Sequence, residues 1–156
     1  MTKRIASAED LGENAAFRVE RNAASAAFFD AAGEGTLLIR VCPECDRLYA
    51  PHHKRCVDGN ELAWRAASGS AQLVTWAVDH APPVSPELSS IDGGPPVIGI
   101  VELDEGPWMY TALPGVAPEA LREGMAMHVR FLPLGGAEPV PVFTPAATGP
   151  DSKEAR

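Results

Sequence analysis

Read for its apolar positions, the chain falls into three differently patterned stretches. In NAAFRVERNAASAAFFDAA, residues 14–32, Phe17, Ala24, Phe28 and Ala32 follow one another at steps of seven, four and four. That spacing predicts one face of an amphipathic helix ending at Gly33 or Gly35. Phe28 and Phe29 are neighbours on that helix and diverge by about 100° around its axis, so one of them needs a second surface, expected from a partner subunit or a second copy. Residues 36–64 open with the strand TLLIRV, pass through a cysteine-bearing turn and regain a short strand around residues 48–50. From residue 71 the apolar runs AQLVTWAV, PVIGIVEL, WMYTAL and MHVRFL recur between turn-rich pieces such as DEGP, which predicts four to five short strands around a small barrel. The expected fold class is mainly β. It comprises a helical segment over residues 1–35, a ribbon-like region over 36–68, a barrel over 69–146 and a small polar tail over 147–156 whose composition predicts disorder.

One connection stands apart. Residues 81–96 hold five prolines and two glycines, a composition that suits neither a helix nor a ladder strand and reads as a surface excursion from the barrel rim. At 156 residues the chain makes one medium domain or two very small ones. No stretch approaches the ~20 apolar residues needed to span a bilayer, and MTKRIASAEDLGENAAF lacks the apolar segment of a secretory signal, so a cytoplasmic protein with no membrane partner is expected. The net charge of -8 is unevenly spread: -2 over residues 1–39, +1 over 40–70 and -7 over 71–156. Nucleic-acid binders depend on Lys and Arg to displace phosphate counterions, and this chain mostly presents the opposite sign.

Candidate chemistry concentrates in VCPECDRLYAPHHKRC. Three cysteines, all within fifteen residues, argue against a secreted disulfide framework and for metal binding or free thiols. Cys42 and Cys45 have C-x2-C spacing, Cys56 opens a second turn, and a second C-x2-C would need a cysteine at position 59, where Gly59 stands. A tetrahedral zinc site normally takes four protein ligands, so a fourth donor would come from His53 or Asp58, with His52 also close in sequence. Two readings stay open: zinc held by three cysteines and a substitute, or a ribbon that keeps its shape without metal. His80 and His128 read as exposed strand histidines, and Glu102, Asp104 and Glu105 as solvated turn acids. Trp64, Trp76 and Trp108, set in apolar runs, read as core or interface residues. No Ser-His-Asp order, phosphate-cradling glycine loop or dinucleotide fingerprint is present.

The succession C-P-E-C, Cys56, VIGIVELDEGPWMYTAL, LREGMAMHVRF and PVPVFTPA resembles the DUF35 proteins over about residues 24–146, with Gly59 in place of the fourth cysteine as the main departure. The resemblance implies a helix, a rubredoxin-like zinc ribbon and a five-stranded OB-fold barrel. It also implies a non-catalytic accessory subunit that binds or channels acyl-CoA for a thiolase-like partner, such as a lipid-transfer-protein thiolase or an aldolase of steroid or lipid side-chain breakdown. A hetero-oligomer or a homodimer is expected. Arg47, Lys54 and Arg55 are the candidate cations for CoA phosphates, against the plainer reading of solvated basic side chains around a ribbon. Two other classes compete: an OB-fold single-stranded nucleic-acid binder, disfavoured by the acidic barrel, and a small metalloenzyme with an open zinc corner, for which an all-thiolate set is poorly suited.

Overall fold

The computed structural model describes residues 18–147, so Phe17 and the expected tail after residue 147 lie outside the described residues. Eight strands and one helix follow in the order α1 (Ala26–Gly33), β1 (Leu38–Val41), β2 (Leu48–Tyr49), β3 (Ala63–Ala66), β4 (Ser70–Val78), β5 (Val97–Leu103), β6 (Trp108–Ala112), β7 (Ala126–Pro133) and β8 (Pro139–Pro145). The first three strands form one antiparallel sheet in the order β2-β1-β3, and the other five form a second in the order β6-β5-β4-β7-β8. The ends of the larger sheet, β6 and β8, approach each other and curl it into an OB-like half-barrel. The fold is therefore mainly β with one helix before a ribbon.

One boundary and one additional strand differ from the sequence expectation. The helix is shorter than the apolar periodicity suggests, because Asn22 and Ser25 make a local turn in which Asn22 Oδ1 accepts from the Ser25 N–H at 3.0 Å and Ser25 Oγ accepts from the Asn22 N–H at 3.0 Å. Side chains of this kind compete with the helical ladder and set its start. The third ribbon strand, Ala63–Ala66, carries no alternating pattern of its own; it pairs with β1 from Leu38↔Ala66 to Val41↔Ala63. The second surface required by the two phenylalanines is found largely within the chain. Phe28 packs on Trp64 with ring centroids 5.9 Å apart, Phe29 meets Phe28 edge-on at 5.3 Å, and both are half-buried.

Strand β5 shows why the barrel forms. Val97, Val101 and Leu103 are buried, alternating with outward Ile98, Ile100 and Glu102. A bulge between Leu73 and Thr75 lets β4 coil, so that it pairs with β5 over most of its length and with β7 only at Ser70, Ala71 and Gln72. The core contains Leu37 and Ile39 from the ribbon end beside Leu73, Val101, Met127 and Phe143 from the barrel. Ribbon and barrel thus share one core, with a smaller satellite of Cys42, Cys56 and Leu62 at the ribbon tip. The proline-rich connection is pinned, not free: the Ile91 N–H donates to Val116 O at 3.0 Å, the Gly115 N–H donates to Ser89 O at 2.9 Å, and Ser85 and Ser90 are buried.

Candidate functional site

The ribbon tip is built from two turns of related geometry. In the first, the Cys42 N–H donates to Arg47 O at 2.9 Å, the Asp46 N–H donates to Cys42 O at 2.8 Å, and Asp46 takes the left-handed conformation at φ 59°. In the second, the Cys56 N–H donates to Asn60 O at 2.9 Å, the Gly59 N–H donates to Cys56 O at 3.0 Å, and Gly59 has φ 85°. Gly59 therefore corresponds to Asp46 and Asn60 to Arg47, and the second turn is one residue shorter. The residue that precedes the left-handed position is Cys45 in the first turn and Asp58 in the second. C-x2-C spacing points to position 59 for the absent cysteine, whereas the backbone points to position 58.

The sulfurs of Cys42, Cys45 and Cys56 lie within 4.8 Å of one another, with Cys42 and Cys56 buried and Cys45 exposed. Zinc–thiolate bonds of about 2.3 Å arranged tetrahedrally separate sulfurs by roughly 3.8 Å, so the three thiols fit a metal ion after a small contraction. Among the described residues no histidine or carboxylate joins this group. The His53 ring lies tilted against His52 at 4.3 Å and against Tyr49 at 5.4 Å, and burial first, then the neighbouring His52 charge, lowers its pKa. Asp58 contributes its N–H to Cys56 Sγ at 3.3 Å, and Asn60 Nδ2 lies 3.9 Å from Cys42 Sγ. Burial pushes the Cys42 thiol up, but the Cys45 and Glu44 N–H groups and the Cys45 and Cys56 thiols outweigh it and bring its pKa below the ordinary value. For Cys45 the Arg47 N–H acts downward, yet the thiol of Cys42, desolvation and the charges of Cys42 and Cys56 leave it raised. Cys42 favoured as thiolate, with the neighbouring Cys45 thiol held against it, is the electrostatic arrangement that a cation relieves.

The three candidate cations do not converge. Arg47 lines a cleft of about 430 Å³ between ribbon and barrel, together with Asp46, Tyr49, Glu105 and Pro107. Arg55 lies along the ribbon surface, its Nη1 donating to Gly59 O at 3.0 Å and its Nη2 lying 3.8 Å from Glu61 Oε1, and both Arg55 and Lys54 are exposed. A cation with a different task, Arg40, lies with its Cζ 3.3 Å from the centroid of the Trp64 ring, and burial lowers its pKa. The turn acids have structural partners: Glu102 Oε2 accepts from Trp108 Nε1 at 2.7 Å, and Glu105 Oε1 accepts from the Ser68 N–H at 2.6 Å. Glu105 Oε2 is buried without a donor among the described residues. His80 and His128 are exposed, the latter on β7 opposite Ser70 and Thr144. Asn60 was not foreseen; its signal was the position after a glycine in a turn that must close on Cys56. No helix among the described residues is long and apolar enough to cross a membrane.

Comparison with known proteins bears on this arrangement directly. The family described as ChsH2, C-terminal OB-fold domain, matches over residues 64–132. A protein of Thermomonospora curvata named "Probable enoyl-CoA hydratase alpha subunit" is 32% identical over 133 residues, which cover 84% of this chain. The chain spans 40% of the length of that curated relative. A solved chain titled "Ltp2-ChsH2(DUF35) aldolase" is 31% identical, with a TM-score of 0.68, and the match covers 83% of this chain and all of that one. A DUF35-family structure from Sulfolobus solfataricus, at 11% identity and a TM-score of 0.52 over 80% of this chain and 87% of its own, shares the fold. The order of helix, cysteine ribbon and OB-like barrel, with a 31% identical DUF35 structure matched along its whole length, makes this chain a member of the DUF35 family.

Proposed function

We propose that the protein is a non-catalytic accessory subunit that docks on a thiolase-like enzyme, such as a lipid-transfer-protein thiolase or aldolase, and helps to hold its acyl-CoA substrate. The observation that carries this reading is the match, over 83% of this chain and all of the other, to the DUF35 chain of an Ltp2-ChsH2(DUF35) aldolase. The hydratase named for the longer relative does not transfer, since this chain matches 40% of it. In this reading Arg47, at the cleft between ribbon and barrel, is the first cation to meet a CoA phosphate, and Lys54 and Arg55, which do not line that cleft, are secondary candidates elsewhere on the ribbon; a substrate with a steroid or lipid side chain is the finer expectation. Cys42, Cys45 and Cys56 would hold zinc, with Asp58 best placed by backbone correspondence to turn toward the fourth corner and His53 the alternative. Such a metal would fix the ribbon tip and supply no chemical step. The reading is tested by isothermal titration of the chain and of its complex with acyl-CoA: Arg47→Ala should weaken binding by the complex at least about fivefold. Unchanged affinity in that variant would remove Arg47 from the binding role.

A single-stranded nucleic-acid binder remains the second reading on fold alone, since OB barrels serve that purpose. The -7 charge over residues 71–156 weighs against it.

A further inference from the structure

The outer face of β4, β5 and β6 is apolar where an alternating strand facing water should be polar. Ladder register arranges it as rows running across three strands: Ala77, Ile98 and Ala112; Thr75, Ile100 and Tyr110; Gln72, Glu102 and Trp108. The opposite face of β5 already fills the core with Val97, Val101 and Leu103, so this second face is additional apolar surface. Its large side chains stand out from the barrel, with Tyr110 82%, Trp108 55% and Ile98 47% exposed. A pocket of about 180 Å³ opens among Thr75, Trp76, Ala77, Ile98, Ile100 and Tyr110. The Trp108 indole is held in place by its hydrogen bond to Glu102, so part of the face is ordered before anything binds. Tyrosine, tryptophan and isoleucine clustered beside a pocket form the kind of centre on which protein interfaces concentrate their binding energy.

Charge selects the occupant. Residues 66–121, which include all of β4, β5 and β6, carry seven carboxylates and no lysine or arginine. A second copy seated on this face would set two acidic rims against each other, and a nucleic acid or an anionic membrane would be repelled. A complementary partner is a different protein with an apolar patch ringed by Lys and Arg. We propose that the β4-β5-β6 face is the surface by which this chain docks on its enzyme partner, centred on Ile98, Ile100 and Tyr110 and rimmed by Glu102 and Asp104. The assignment rests on the accessory-subunit reading above for the identity of that partner.

The test is a binding titration between the full chain and a thiolase-like aldolase subunit of the Ltp2 type, with size-exclusion chromatography of each component alone. Ile98→Asp and Tyr110→Asp should each weaken binding at least about tenfold with an unchanged melting temperature, and Tyr110→Ala serves where a charged variant melts early. Ile91→Asp, an equally exposed apolar position in the loop, should bind as the wild type does. Raising the salt should weaken wild-type binding, and Glu102→Lys should reduce that salt dependence. Wild-type affinity retained by both aspartate variants would overturn the face and leave the accessory role standing. A homodimer that Tyr110→Asp dissociates would also overturn it, since the occupant would then be a second copy. Failure of the wild-type chain to bind an enzyme of this class would overturn both the face and the functional reading.

Discussion

Gly69 has φ +82°, and a Cβ there would lie 2.7 Å from Val129 Cγ1, so neither the backbone nor the space accepts a side chain. Gly69→Ala should lower stability by about 1–3 kcal/mol in chemical denaturation, chiefly through strain at the entry to β4. Phe143 is fully buried in the shared core, and Phe143→Ala should lower stability by about 3–5 kcal/mol in the same measurement. At the ribbon tip, protein produced with added zinc should carry close to one zinc per chain, lost in Cys42→Ser; retention of full zinc in that variant would dissociate the cluster from metal binding. His53 should titrate below the ordinary 6.5 by NMR, and His52→Ala should bring it part of the way back. Because its folded pKa is depressed, the contribution of His53 is fully present above the unfolded value and declines as pH falls below 6.5 toward the folded value. The cysteines were legible as a cluster because C-x2-C spacing is itself the signal. The position of the missing ligand was not, because a one-residue shortening of the second turn appears only in the backbone hydrogen bonds of Cys56, Gly59 and Asn60.

Among the elements, the barrel strands were readable from their apolar runs and turn residues and α1 ends at Gly33 as its periodicity indicates, while the start of α1 and the existence of β3 were not legible. The helix periodicity continues back into residues whose side chains close a turn at Asn22 and Ser25, and such local hydrogen bonding outweighs a favourable alanine-rich composition. Strand β3 gains its identity only from pairing with β1, so its sequence carries little sign of it. The same pairing matters for stability. Leu37 and Ile39 reach from the ribbon end into the barrel core, so Ile39→Ala should lower the midpoint of the whole unfolding transition and cost about 2–5 kcal/mol. Followed by circular dichroism and intrinsic fluorescence, the two probes should report one coincident transition. Two resolved transitions would contradict a shared core. Chelation should loosen the satellite of Cys42, Cys56 and Leu62 and leave the barrel folded.

For the molecule as a whole, an acidic barrel, a near-neutral ribbon and a sheet that carries apolar side chains on both faces are the features on which the proposed docking role rests. The apolar run of β5 announced that face, since Ile98 and Ile100 interrupt the polar half of the alternation, but only the register with β6 shows that Tyr110 and Trp108 extend it. The central claim is that this surface and the ribbon serve an enzyme that does the chemistry. It is tested most directly by purifying the chain with and without an Ltp2-type aldolase subunit and following cleavage of an acyl-CoA substrate by each component and by the mixture. The account predicts no turnover by the chain alone, a stable complex on mixing and a higher rate for the complex than for the aldolase subunit by itself. Turnover by the isolated chain, or an aldolase rate that the chain leaves unchanged while no complex forms, would contradict it.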